Sequence, residues 1–438
     1  MDAINRRNFL VRSGLAIGAA LLAAEVPVST AIANSPPLKP DSWQDIRKEF
    51  QLSRDSIHLA GFFLSSHPAS VRAAIERHRR GLDADPISYW FEQEEKQEAA
   101  VLRAAADYLA VDPTEIALTD STTMGLGLLY GGLTLRAGQE ILTTLHDHYA
   151  TETSLRLCTE RTEATVRQIS LYDSLKHVSR QELLDNLIKN IRPHTRIVAV
   201  TWVHSSTGLK LPIQEMAQAI HMLNESRAEH DRVIFCVDGV HALGVEDFRL
   251  SEVGCDFLVA GTHKWMFGPR GTGLVWGQKR AWPVANPIIP TFNTHAYDIW
   301  MKARPPADLP KSVYMTPGGF HSFEHRWALG EAFTFHRAIG KARVTQRIYE
   351  LNQQMKQGLA KMPHITLHTP MSQDLSAGIV CFEVSGMTPD QVVERLRHRR
   401  IIGSVTPYAT QYARLAPSLL TLPEDIEQTL REILKLRT

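Results

Sequence analysis

The sequence predicts an α/β protein built on a mostly parallel sheet with helices on both faces. Two observations carry this. First, several short apolar runs are continuous rather than alternating: Val233-Ile234-Phe235-Cys236-Val237, Phe257-Leu258-Val259-Ala260 and RIVAVTWV from Arg196 to Val203. Strands buried on both faces read this way. Second, the first two of these runs end at Asp238 and, after Gly261-Thr262-His263, at Lys264. The carboxyl ends of such strands are where open α/β sheets bind ligands. Asp238 and Lys264 are 26 positions apart, room for a crossover and a neighbouring strand.

A chain of 438 residues holds one large and one smaller domain with ample core. Its 44% hydrophobic and 22% charged content is that of an ordinary soluble globular protein. The 48 basic and 47 acidic residues leave a formal charge of +1, which gives no electrostatic footprint for a nucleic-acid or acidic-membrane partner. Cys158, Cys236, Cys255 and Cys381 show no metal-ligand spacing, and no metal site is expected. Cys236 and Cys381 lie inside apolar runs and read as core.

From the N-terminus, Asn5-Arg6-Arg7-Asn8-Phe9-Leu10 is a twin-arginine pattern. A weakly apolar stretch, Gly14 to Ala24, follows and is too short to span a bilayer. Ala31-Ile32-Ala33 then supplies a small-x-small cleavage site. Residues 1–33 therefore read as a Tat export signal, with the Tat machinery as a partner and the periplasm as the destination. Residues 34–70 carry Pro36, Pro37 and Pro40, a short helix-like run from Trp43 to Phe50, and a short strand at Ser56 to Ala60. This segment is expected to pack on the smaller domain.

Pro68 to Gly81 reads as a basic helix opening on proline. Asp85 to Trp90 reads as a turn before a charged helix that ends near Leu109. A strand, Glu115 to Leu118, leads to Asp120-Ser121-Thr122-Thr123-Met124-Gly125 and an apolar helix, Leu126 to Leu133. Hydroxyls and backbone N–H groups at such a helix start serve either as plain N-caps or as an anion site. The strand Glu140 to Leu145 ends in His146-Asp147-His148, and a helix from Ile213 to Ala228 leads back to the central strands. Residues 282–319 are proline-rich and irregular, and one long helix is expected from about Glu324 to Met362. A strand, Gly378 to Val384, and a helix, Pro389 to His398, precede Tyr412-Ala413-Arg414.

An acid and an amine converging on one pocket suit pyridoxal phosphate. The lysine condenses with the cofactor's aldehyde, and the aspartate keeps the pyridine nitrogen protonated, so the ring acts as an electron sink. DGVHALG from Asp238 and THKWMFGPRGTG from Thr262 resemble the cofactor site of the class V aminotransferase superfamily, fold type I pyridoxal-phosphate enzymes. Cysteine desulfurases, isopenicillin N epimerase-like proteins and exported enzymes of pyoverdine maturation are among its members. The resemblance covers most of the chain after about residue 55.

That resemblance implies a seven-stranded-type, mostly parallel sheet sandwiched by helices in a large domain, residues 71–315, and a smaller α+β domain, residues 316–438. It also implies roles. Thr122, Thr123 and His263 would hold the phosphate, His148 would stack on the ring, and Asp238 and Lys264 would act as above. His241 stands where desulfurases carry glutamine and would reach the phenolic oxygen. Ser205 stands where they carry asparagine, as in epimerase-like members. His321 or Ser322 would reach the phosphate of a partner subunit in a homodimer with shared sites. Arg414 would clamp the substrate carboxylate through two parallel bonds. The twin arginines with these motifs look like the exported pyoverdine-tailoring enzymes, which act on a glutamyl residue. An epimerase or aminotransferase is the alternative. Sulfur transfer is weaker, because the only late cysteine is Cys381, and a non-catalytic protein of the same fold is weakest.

Overall fold

The computed structural model describes residues 42–302 and 309–436. The export signal expected over residues 1–33 lies outside them. Thirteen strands among the described residues form three sheets. In chain order they are β1 (Ile57–His58), β2 (Ile116–Thr119), β3 (Glu140–Thr144), β4 (Thr165–Ile169), β5 (Thr195–Thr201), β6 (Ile234–Asp238), β7 (Phe257–Gly261) and β8 (Gly273–Gly277), then β9 (Ile365–Leu367), β10 (Val380–Val384), β11 (Ile401–Ile402), β12 (Ser404–Val405) and β13 (Ala413–Leu415).

The main sheet has seven strands in the order β2-β8-β7-β6-β5-β3-β4. All its pairings are parallel except those of β8, which runs antiparallel to both neighbours. The fold class is the one expected. Alternate residues of the continuous runs serve two different cores. Val198, Val200, Phe235, Val237, Leu258 and Ala260 belong to one cluster. Ile197, Ala199, Ile234, Cys236, Phe257 and Val259 belong to the other. A polar face would have left one set in water, which is why the runs do not alternate.

Register is pinned between the two strands that carry the site. The Asp256 carboxylate accepts from the Phe235 amide at 2.9 Å. Asp238 then pairs with Val259 on one side and with Thr201 on the other.

A second, antiparallel sheet, β12-β13-β10-β9, has its own cluster of buried residues, including Val380, Phe382 and Leu415. The segment before residue 70 divides its contacts. β1 pairs in parallel with β11, while Ile46 and Phe50 join the core of the main sheet.

Three local expectations are corrected. Asp85 to Trp90 is not a turn ahead of a helix. The helix Pro86–Leu109 begins there, with proline in its first turn and the Asp85 carboxylate accepting from Ser88 N at 3.1 Å. The expected long helix after residue 323 is two helices, Phe323–Ile339 and Lys341–Ala360. Gly340 between them has φ +95°, a conformation that breaks the rod. The proline-rich stretch contains two short helices, Thr294–Trp300 and Lys311–Met315. Asn293 caps the first, accepting from His295 N at 3.0 Å.

Candidate active site

The carboxyl ends of β5, β6 and β7 open onto a cavity of ≈ 410 Å³. Lys264 and Asp238 both line it. Asp238 is 3% exposed, and one carboxylate oxygen accepts from Val240 N at 3.0 Å. Burial pushes its carboxyl up to about 6, against the pull of the Val240 bond and of the Lys264 charge. The same burial pushes the Lys264 amine down to about 8; Asp238 opposes that shift and Arg414 adds to it. Each group is biased towards its neutral form.

The helix Thr122–Gly132 points its amino end into the same cavity. Ser121 caps it, accepting from Met124 N at 3.1 Å, so the N-cap role falls to this residue. Thr122 and Thr123 are left facing the cavity. The Thr122 hydroxyl accepts from Gly261 N at 2.7 Å, tying the helix start to the end of β7. A side chain at Gly261 would place Cβ 2.9 Å from that hydroxyl, so glycine permits the approach.

His148 caps the next helix, Tyr149–Thr162, its Nδ1 accepting from Ala150 N at 3.1 Å. That fixes the ring at the cavity wall. Burial, then the Lys264 and Arg414 charges, lower its pKa, so it is held neutral. Its neighbour Asp147 is locked by three bonds to one oxygen, from Thr143 Oγ1 at 3.1 Å, Thr144 N at 3.0 Å and Thr144 Oγ1 at 2.6 Å. His146 turns away and stacks on Tyr172, ring centroids 4.3 Å apart.

Arg414 reaches the cavity from β13 of the second sheet. It is 4% exposed. Its Nε donates to Ser404 Oγ at 3.0 Å and its Nη1 to the Ser205 carbonyl at 2.8 Å. The guanidinium lies 4.4 Å from the Phe62 ring centroid. Phe62 is therefore both core and cavity wall, whereas Phe63 is 66% exposed. Ser205, His241 and His263 also line the cavity. His241 Nδ1 accepts from the Trp265 indole at 3.2 Å.

His321 is not brought to this cavity. It lines a separate concavity of ≈ 320 Å³ with Trp90, Phe320 and Arg326, and Ser322 stands just before the helix Phe323–Ile339 beside it, its side chain making no capping bond. That concavity has no lysine in its wall, so the chemistry places the site around Lys264. Sequence reasoning missed Thr201 and Tyr408. Thr201 ends β5 opposite Asp238 and reads in the sequence only as part of an apolar strand. The Tyr408 hydroxyl lies 2.7 Å from Ser205 Oγ, and its ring meets His148 edge-on at 6.1 Å. It sits in the β12–β13 loop, where no motif marks it.

The residues fit pyridoxal phosphate. The hydroxyl of Thr201 and Nδ1 of His263 are buried at the cavity without a hydrogen-bond partner, a costly state that a polar ligand relieves. A helix start with Thr122 and Thr123 suits a phosphate. A buried carboxylate suits a protonated ring nitrogen, and a lysine titrating near 8 suits an aldehyde.

Comparison with known proteins gives the same answer. Isopenicillin N epimerase of Streptomyces clavuligerus is 27% identical over 406 residues, covering 88% of this chain and 96% of that one. A probable cysteine desulfurase of Halalkalibacterium halodurans is 26% identical over 284 residues, covering 64% of each chain. Among solved structures, a C-DES mutant with glycine covalently linked to its pyridoxal-phosphate cofactor superposes with a TM-score of 0.78 at 22% identity, covering 89% of this chain and 98% of that one. A cysteine desulfurase of Escherichia coli gives 0.75 at 17% identity, covering 91% and 99%. Residues 89–405, most of the chain, match the family described as aminotransferase class-V. The chain therefore belongs to the class V aminotransferase family of pyridoxal-phosphate-dependent enzymes.

Proposed function

We propose that this enzyme acts at the amine-bearing carbon of an amino acid or a glutamyl group in the periplasm, and that its substrate is the glutamyl side chain of the siderophore pyoverdine. The observation that carries the chemistry is the sharing of one cavity by Lys264, Asp238 and Arg414. When bound, the cofactor draws electrons from the bond broken at that carbon. Asp238 would hold the ring nitrogen's proton, and Thr122, Thr123 and His263 would hold the phosphate. Ser205 and His241, which line the same cavity, would stand beside the ring oxygen. Arg414 takes the substrate carboxylate, already braced by Ser404, the Ser205 carbonyl and Phe62. Lys264 and His148 are the groups placed to take and return a proton. The twin arginines at Arg6 and Arg7 support export by the Tat machinery. We also propose a homodimer, with His321 or Ser322 completing the partner's site.

Sulfur transfer is disfavoured. Cys381 is 0% exposed in the middle of β10, and burial pushes its thiol up to about 12. A desulfurase needs a reactive, accessible thiolate. The near full-length match to isopenicillin N epimerase favours epimerisation as the second reading.

Incubation of the mature enzyme with glutamyl-bearing pyoverdine precursor, followed by mass spectrometry and chiral analysis, separates the two. A changed side-chain mass supports tailoring. Unchanged mass with an inverted stereocentre supports epimerisation. Neither change, in a protein that binds pyridoxal phosphate and loses its absorbance band in Lys264→Ala, sinks both substrate readings and keeps the cofactor.

A further inference from the structure

His241 has two ring nitrogens, and one contact decides which carries the hydrogen. Nδ1 lies 3.2 Å from the Trp265 indole nitrogen. An indole N–H only donates, so Nδ1 is the acceptor and is unprotonated. Neutral imidazole then carries its single hydrogen on Nε2. The ring lines the cavity, and with its Nδ1 edge taken by the indole, the Nε2 edge remains to face the ligand.

We propose that Trp265 is a positioning residue whose indole N–H fixes His241 as the Nε2–H tautomer, so that the cavity meets a neutral hydrogen-bond donor beside Lys264. What that donor serves, the ring oxygen of the bound cofactor, rests on the cofactor reading above; the tautomer does not.

The chain builds a seat for this indole. Trp265 is 2% exposed. Gly378, at φ +67°, lies so close that a Cβ there would come within 2.8 Å of the indole Cζ2. Gly244, at φ +85°, would put a Cβ 2.8 Å from the Trp265 carbonyl carbon. His336 Nε2 donates to that carbonyl at 2.9 Å, and Phe62 packs 6.3 Å away, centroid to centroid. Packing alone would accept phenylalanine at this place. The indole nitrogen in bonding contact with a site histidine is what packing leaves unexplained. Burial first, then the Lys264 and Arg414 charges that face His241, hold the ring neutral; His148, the third titratable group facing it, is itself neutral. A neutral ring makes the tautomer the one remaining variable, and Trp265 sets it.

The test uses apoprotein carrying ¹⁵N-labelled histidine, with His241 assigned by its loss in His241→Gln. Long-range ¹H–¹⁵N correlations should show a bare Nδ1 and a protonated Nε2, unchanged as pH is lowered from about 8 through the ordinary imidazole value of about 6.5. In Trp265→Phe the Nδ1 resonance should move and both tautomers should appear. A protonated Nδ1 in the wild type, or a Trp265→Phe spectrum identical to it, overturns the proposal. If Trp265→Phe does not fold, the wild-type tautomer still decides. Adding pyridoxal phosphate separates the two readings. A visible absorbance band with no shift of the His241 Nε2–H signal refutes the donor role while the cofactor reading stands. Absence of any band refutes the cofactor reading and leaves the tautomer to the apoprotein result.

Discussion

Lys264 and Asp238 sit in the same cavity, yet burial moves both away from their charged forms. This has a measurable sign. The amine titrates near 10.5 in the unfolded chain and at about 8 in the folded apoprotein. Between those values the unfolded state holds more protons, so apoprotein stability should rise with pH across that window. Denaturant titrations should show the rise in wild type and its loss in Lys264→Met. The same shift leaves the neutral amine available near pH 8, so loading of pyridoxal phosphate followed by absorbance should accelerate with a midpoint at about 8. Cys381 supplies the opposite case. Its burial predicts that Cys381→Ala keeps turnover within about twofold of wild type, since no step uses the thiol. Asp238, Lys264 and Arg414 were legible in the sequence because each stands in or beside a motif. Thr201 and Tyr408 were not, because their places depend on strand pairing and on a loop from the second sheet.

Helix starts and glycines govern the element scale. The helix Thr122–Gly132 is tethered to β7 through the Thr122 hydroxyl, so Thr122→Val removes that tether and, on the proposed function, a hydrogen-bond donor to the cofactor phosphate. Loss of one such charge-assisted bond corresponds to about 1.5–3 kcal/mol, a roughly 10- to 150-fold weaker affinity for pyridoxal phosphate by absorbance titration. Gly340 stands at a φ that L side chains avoid, so Gly340→Ala should lower unfolding stability by about 1–3 kcal/mol in urea titrations, with the cofactor site intact. Strands read well from the sequence because two buried faces leave an unbroken apolar signature. The break at Gly340 did not read, because the apolar period continues on both sides of it. Asp85 did not read as a cap because Asp-Pro favours turns and helix starts equally.

At the scale of the whole molecule, two sheets meet at the site. Arg414 on β13 and Tyr408 in the loop before it grip Ser205, four residues beyond the end of β5, at 2.8 and 2.7 Å. Lys264 and Arg414 thus come from different sheets, which the sequence order alone does not show. The proposed homodimer has its own measurement. Trp300 and Phe320 are 77% and 81% exposed, unusual for residues of this size. Sedimentation should report about twice the 49.1 kDa chain mass, less the export signal, and Phe320→Glu should shift it towards one copy.

The carboxylate of Asp256, which accepts the Phe235 amide, holds β6 in a single alignment beside β7. A shift of one residue there would turn the Asp238 side chain to the opposite face of the sheet, away from Lys264. A chain misaligned in this way would lack the pairing of Asp238 with Lys264 and so would not form the coloured site. With pyridoxal phosphate in saturating excess, the yellow of the loaded enzyme therefore doubles as a count of correctly aligned molecules. An Asp256→Ala sample, measured as absorbance per mole of chain, would show how often the alignment fails without its pin.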